Sequence, residues 1–337
     1  MPIVYKILFV LLITSNVYAY DQAKLMNAWS SVVMIRGYTE SGALAYGSGV
    51  IVGKNEVITN CHVLRRTEKP WVSQGDTSYS IEGVQANRWQ DLCLLTLFQL
   101  NREPVPIGNS KDLIKGQELA GIGHSGGSPV PLTTGGYMIS TYDMENGRII
   151  LSSAKFRLGA SGSGLFDMEG TLVGINTFKT TGYGSYFSMP AEWIHQLRNQ
   201  PMEKEFPITG KALWEEKEDD KPFFLKIAIP KVKEDWVNFI KVTSEWVSEE
   251  KDNTEAWYEH GYAHEMLLKD DKALVAYQKS LAIDKNNSDA LFRIGIINNK
   301  LGLKEEAERI HTSLNNLNPA RADELDEIIN CTTKCKK

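Results

Sequence analysis

The sequence predicts two folded modules in series, an all-β module over residues 20–200 and an all-α module over residues 222–330, joined by a charged linker at 201–221. Three observations predict this. Short apolar runs of strand type lie in the first part: VIVGKNEVIT at 50–59, LCLLTLF at 92–98 and LFDMEGTLVGINTF at 165–178. From Thr254 onward Ala256-Trp257, Gly261, Ala273, Tyr277 and Leu281 are answered 34 positions later by Ala290-Leu291, Gly295, Ala307, His311 and Asn315, a period that suits stacked helix pairs with small residues at the close approaches. Between the two parts, Glu215-Glu216-Lys217-Glu218-Asp219-Asp220-Lys221 is an unbroken charged run, read as a solvated boundary. With 337 residues and 42% hydrophobic content the chain is long enough for about two cores.

At the N-terminus Lys6 precedes the apolar run 7–13, and Val17-Tyr18-Ala19 places a small residue at a cleavage position, so residues 1–19 read as a secretory signal peptide. The run is too short to span a bilayer, and cleavage after Ala19 leaves no stable membrane anchor. A net charge of −5 offers no electrostatic footprint for nucleic acid. The glycine-rich GIGHSGGSP lacks the Gly-Lys-Ser/Thr ending of a phosphate loop, which leaves His124 as a structural histidine.

Chemistry is concentrated in three segments: VITNCHVL around His62, RWQDLCLLTL around Asp91 and RLGASGSGLFD around Ser161. A serine hydroxyl is a poor nucleophile until a base takes its proton, and neutral imidazole does this and returns the proton to the leaving amine. His62 is the candidate base and Ser161 the nucleophile. Asp91 is the candidate carboxylate that holds the imidazole in one tautomer and stabilises its charged form. Each alone has a plainer reading, as a turn or a strand-end polar residue; each nevertheless sits beside an apolar strand-like run. The N–H groups of Gly159 and Ser161 would form the oxyanion hole, with Gly162 and Gly164 allowing the sharp turn.

In their order and context these segments resemble the bacterial trypsin-like peptidases of the chymotrypsin fold, close to the HtrA/Deg proteases, whose patterns run TN-x-HV, D-(hydrophobic)-A-LL and G-x-SG-(G/S)-x-LF(D). Gly47-Ser48-Gly49-Val50-Ile51-Val52, Pro106-Ile107-Gly108-Asn109-Ser110, Gly121-Ile122-Gly123 and Tyr186-Phe187-Ser188-Met189-Pro190 extend the resemblance over about residues 28–200. It implies a double six-stranded β-barrel, a serine endopeptidase acting on protein or peptide substrates, no cofactor and no metal. It also implies a periplasmic or secreted destination. Two departures stand out. Ala160 replaces the aspartate that pairs with a new N-terminus in trypsin-type zymogens, and no PDZ-like sequence follows residue 200. Lys155, Thr177, Phe178 and Lys179 fall where the family builds its primary specificity pocket, and the lysines would favour an acidic side chain. The triad would bring Cys61 and Cys93 together, and an oxidising compartment would let them form a disulfide rather than remain buried thiols. Cys331 and Cys335 lie in the tail, 331–337, and the modest expectation for them is a small terminal disulfide.

The helical part resembles tetratricopeptide repeats. Residues 220–253 have the length of an earlier repeat, in which Trp236, Phe239, Ile240, Val242 and Trp246 give one helix an apolar face, while Pro230 restricts its partner to a short divergent helix over 223–229. A closing helix is expected over 322–330. By register Tyr258, Tyr262, Phe292 and Ile296 line the concave side beside Glu255, Glu265 and Asp289, a surface either for a protein partner or for packing against the β module. The expected function is therefore an exported serine endopeptidase with a repeat domain that binds protein or peptide. The alternative is a protease-fold scaffold or chaperone-like binding protein with little hydrolytic activity.

Overall fold

The computed structural model describes residues 22–180 and 185–330, so the expected signal peptide at 1–19 and the tail with Cys331 and Cys335 lie outside the described residues. A leading helix α1 (Gln22–Ser30) enters a sheet of β1 (Val32–Tyr38), β2 (Leu44–Gly53), β3 (Glu56–Asn60), the one-turn helix α2 (Cys61–Leu64), β4 (Trp71–Gln74), β5 (Thr77–Asn87) and β6 (Leu92–Leu97). The order β5-β4-β1-β2-β3-β6 closes because β6 pairs back onto β5. The second barrel is built from β7 (Glu118–Gly123), β8 (Leu132–Met144), β9 (Gly147–Ser152), β10 (Ser163–Asp167), β11 (Leu172–Lys179) and β12 (Tyr186–Pro190), closed in the order β10-β11-β12-β9-β8-β7. The expected pair of six-stranded barrels is what the chain forms.

The strand period explains why β6 reads as apolar at every position but Thr96. Successive side chains point to opposite faces. Cys93, Leu95 and Leu97 fill the first barrel with Val33, Ile35, Ile51 and Val57. Leu92 and Leu94, on the other face, join a core that runs between the barrels and into the helices. Both faces of β6 are therefore largely dry, with Thr96 alone half-buried.

After the second barrel come α3 (Trp193–Leu197) and β13 (Met202–Glu203), which pairs antiparallel with β5 on the first barrel. The segment expected as a charged linker at 201–221 is mostly exposed but anchored at a few buried residues. Ile208, Ala212 and Leu213 are buried, and only 217–220 of the charged run is fully exposed. The physical reason is that charge marks where a boundary is wet, while the apolar residues just before it, Ile208 and Leu213, find a barrel wall to cover.

The helical part comprises α4 (Phe223–Lys226), α5 (Ala228–Val232), α6 (Trp236–Glu249), α7 (Thr254–Met266), α8 (Asp270–Ile283), α9 (Ser288–Lys300), α10 (Lys304–Leu317) and α11 (Pro319–Ile329). Helices α9 and α10 begin and end 34 residues after α7 and α8, and α6 the same distance before α8, so the sequence period is a structural one. The caps recur with it: Asn253 accepts from the N–H groups of Glu255 and Ala256, and Asn287 from that of Ala290. Gly261 is needed because a β-carbon there would lie 2.7 Å from the Tyr277 ring. The divergent first helix is split into α4 and α5, with Pro230 in the first turn of α5, where its missing N–H has no intrahelical partner to lose. Pro319 opens α11, slightly earlier than the sequence implied.

The inner helices face the second barrel. Ser140 donates to Glu255 at 2.9 Å, Lys115 pairs with Asp289 at 2.9 Å, and the same ammonium lies 5.4 Å from the Tyr258 ring centre. Tyr142 of β8 stacks on Phe224 at 5.1 Å and reaches Trp246 at 6.5 Å. Of the two uses that the register left open, these contacts favour packing against the β module. Tyr258 and Phe292 are buried, Tyr262 is ringed by Trp236, Phe239, Lys231 and Arg293, and Ile296 packs with Phe292 and Leu325. The surface that register marks as concave is taken up by the protein's own barrel and by neighbouring helices.

Candidate active site

His62 and Asp91, the expected base and carboxylate, meet at the end of the first barrel. His62 lies in α2, directly after β3, and Asp91 in the turn before β6, held at a left-handed φ of 57°. The turn is tied across the strand ends: the Asp91 carbonyl accepts from Cys61 N–H at 3.2 Å and from Asn60 Nδ2 at 2.9 Å. The Cys61–Cys93 disulfide closes the same corner, with Cα atoms 5.0 Å apart. The Asp91 carboxylate is fully buried; Oδ1 accepts the His62 backbone N–H at 2.8 Å and Oδ2 meets His62 Nδ1 at 2.6 Å. An ionised carboxylate only accepts, so the ring proton belongs on Nδ1, leaving Nε2 as an acceptor.

Ser161 comes from the second barrel, in the turn before β10. Its carbonyl accepts Ser48 N–H at 2.8 Å, and Gly162 approaches so closely that a β-carbon there would lie 2.2 Å from Ser48 O and 3.0 Å from Asn60 N, two residues before His62. The turn is thereby seated on the strand ends that carry the base, although no hydrogen bond joins the Ser161 hydroxyl to His62. In unliganded hydrolases that bond is often long and shortens with substrate. The competing hydroxyl, Ser163, is buried and accepts from Asn176 Nδ2 at 2.9 Å, whereas Ser161 is half-buried.

Within the turn the N–H groups alternate in use. Ala160 donates to Arg157 O at 3.0 Å, Gly162 to Asn176 O at 2.9 Å and Ser163 to Ala160 O at 2.9 Å. Those of Gly159 and Ser161 have no partner among the described residues. Gly159, at a φ of 92°, presses against Tyr46 and the His124 carbonyl, so only glycine fits. Two of these groups were not picked out from sequence. Ser48 takes His124 N–H at 2.9 Å and donates to Gly159 O at 2.7 Å, stapling the barrels at the turn. Asn60 reaches both the Asp91 carbonyl and Thr177 Oγ1, at 2.9 and 3.0 Å.

The expected specificity pocket is only partly brought together. Thr177 is buried in the inter-barrel seam, donating to Ile175 O at 2.8 Å. Phe178 is sandwiched between Phe187 at 4.8 Å and Trp214 at 5.7 Å, so it supports a wall rather than an open pocket. Lys155 and Lys179 are exposed, and residues 181–184 beyond them lie outside the described residues. Ala160 is buried with no ion pair, and His124 is buried, donating its Nδ1–H to Ser128 O at 2.8 Å; burial lowers its pKa. No group of three or more His, Cys, Asp or Glu side chains among the described residues is placed to hold a metal ion.

Trp214 and Glu215, in the anchored segment after the second barrel, are the largest omission from the sequence reading. The indole N–H lies 3.2 Å from Asp91 Oδ2 and its ring meets His62 edge to face at 5.5 Å. Glu215 pairs with Arg65, whose guanidinium comes within 3.8 Å of Asp91 Oδ1. Burial alone would raise the Glu215 pKa, but the Ala212 N–H, Arg65 and the charge of His62 outweigh it and hold the carboxyl below its usual range. Neither residue belongs to a motif, and a tryptophan beside a charge run carries no local signal.

The trypsin-like peptidase domain family matches residues 47–175. The chain is similar to the anti-sigma-I factor RsgI9 of Acetivibrio thermocellus, 29% identical over 49% of this chain and 24% of that protein. It is also similar to Protease Do-like 1, chloroplastic, of Arabidopsis thaliana, 31% identical over 46% of this chain and 38% of the relative. The chain thus spans well under half the length of either relative. Among solved structures, the active form of the Rv3671c protease from M. tuberculosis shares the fold, with a TM-score of 0.50, 19% identity and coverage of 57% of this chain and 89% of that one. The double barrel, the sequence match and these relatives agree: residues 47–175 belong to a trypsin-like peptidase domain, and the chain is similar to HtrA-type serine proteases over that part.

Proposed function

We propose that the protein is an exported serine endopeptidase in which Ser161 is the nucleophile, His62 the general base and Asp91 its orienting carboxylate. The observation that carries this reading is the 2.6 Å contact between His62 Nδ1 and the buried Asp91 carboxylate, beside a serine turn whose Gly159 and Ser161 N–H groups are unpaired. In the reaction Ser161 Oγ attacks the scissile carbonyl as its proton passes to His62 Nε2. The oxyanion takes the N–H groups of Gly159 and Ser161, and the imidazolium returns the proton to the leaving amine. Water then repeats the sequence on the acyl-enzyme and releases the acid. Buried Ala160 supports activity without zymogen cleavage, and the leader at 1–19 supports export. Exposed Lys155 and Lys179 support a preference for an acidic side chain before the cut. We read the 34-residue helix pairs as tetratricopeptide-type repeats that brace the second barrel.

The test is labelling of the mature protein with a serine-reactive fluorophosphonate. Labelling at Ser161, lost in Ser161→Ala and in His62→Ala with the fold retained, is the expected result. Undiminished labelling of Ser161→Ala would refute the assignment.

A further inference from the structure

Residues 201–216 run back along the first barrel and are pinned on both sides of the turn that carries Asp91. Met202 and Glu203 pair with Gln85 and Val84. Arg88 donates to Thr209 O at 2.8 Å and to Glu203 at 2.6 Å, and Leu213 N–H donates to Trp89 O at 3.0 Å. Ala212 and Leu213 are fully buried, and Glu215 fastens the end of the strap to Arg65 while accepting Ala212 N–H at 2.9 Å. Trp214 is thereby held between anchors. Its face stacks on Phe178, which stacks on Phe187, and Phe187 meets Phe224 of the helical part at 6.0 Å in a tilted contact.

We propose that Trp214 is a positioning residue for the His62–Asp91 pair, so that the strap after the barrels completes the catalytic centre. This rests on the serine hydrolase reading above. Asp91 has no access to water, so each of its lone pairs must be met by protein. His62 N–H holds Oδ1, and Trp214 Nε1–H holds Oδ2 beside the His62 Nδ1 bond. With both oxygens restrained, the carboxylate cannot rotate out of the imidazole plane. The indole also covers that side of the pair against water. Removing a hydrogen bond to a buried charged group lowers a rate by about tenfold or more, and the 3.2 Å length puts Trp214 at the lower end.

The test uses the full chain. Trp214→Phe keeps a ring between His62 and Phe178 and deletes the N–H. Its kcat on a short peptide substrate should fall about tenfold while KM changes by less than about twofold, with melting temperature retained. The downfield proton signal of His62 Nδ1–H should broaden through exchange. Trp214→Ala, which also opens the side of Asp91 to water, should lose about a hundredfold. Wild-type kcat with an unchanged Nδ1–H signal in Trp214→Phe overturns the positioning role. So does a loss confined to KM, or one that tracks a fall in melting temperature with that signal intact. Wild-type protein that never reacts with the fluorophosphonate overturns the hydrolase reading and this role with it.

Discussion

Replacing Tyr142 with alanine should destabilise the barrel and the helices together. Tyr142 is almost fully buried, stacked on Phe224 at 5.1 Å, 6.4 Å from Phe187 and 6.5 Å from Trp246, so its ring contacts both β12 and two helices. Truncating a buried aromatic ring to alanine costs about 3–5 kcal/mol, the spread depending on how far the site collapses. Here collapse is limited because Phe187, Phe224 and Trp246 are each fixed by other ring contacts, to Phe178 and Phe223 among them. At roughly 2 °C per kcal/mol for a domain of this size or larger, the melting temperature should fall by roughly 6–10 °C. Urea unfolding would be followed by far-ultraviolet circular dichroism for the helices and by fluorophosphonate reactivity for the barrels. Both transitions should move to lower urea in step. A helical transition that stays in place while reactivity is lost earlier, or a loss below about 1 kcal/mol, would show that the helices are not the brace deduced from the Tyr142 contacts.

Glu255 should make the interface sensitive to rising pH: burial, then the charge of Glu259, push its pKa from 4.5 up to about 8 against the opposing pull of Lys115 and Lys231. The folded state therefore holds this proton more tightly than the unfolded chain, stability falls as pH rises from about 4.5 to about 8, and Glu255→Gln should flatten that part of the melting-temperature profile. Gly162→Ala should reduce Ser161 labelling at least about tenfold, since its β-carbon would strike the Ser48 carbonyl at 2.2 Å at a φ of 82°; wild-type labelling would exclude the close approach. Converting Cys61 and Cys93 to serine, which opens a link spanning 32 residues, should lower stability by about 3–4 kcal/mol in the loop-entropy account. Free thiols in oxidised, folded protein would contradict the pairing.

Local sequence was enough wherever function or fold depends on neighbours in the chain. Strand-like runs, the 34-residue helical period and the glycines of the Ser161 turn are all short-range features, because backbone periodicity and left-handed conformations are selected residue by residue. The order of the three chemical segments placed His62, Asp91 and Ser161 as candidates, and the proximity of His62 to Asp91 made the Cys61–Cys93 pairing readable. Less was visible where one residue type serves two environments. Thr177 and Phe178 sit at pocket positions in sequence, yet a buried hydroxyl needs a partner and found it in Asn60, while an aromatic ring found other rings.

What only the tertiary structure decided is which surfaces are used up. Tyr258, Phe292 and their neighbours have the register of an open groove, but apolar area gains free energy from any dry contact, and the second barrel and adjoining helices were nearest. The charged run after residue 214 marked a boundary, and nothing local revealed that the residues just before it lie along the first barrel and bring Trp214 to Asp91. That contact joins positions 123 residues apart, and hydrogen-bond complementarity across such a separation leaves no pattern in the chain. By itself the sequence determined the modules, their periodicity and the candidate triad; the folded molecule determined that the strap reaches Asp91 and that the helices pack on the second barrel.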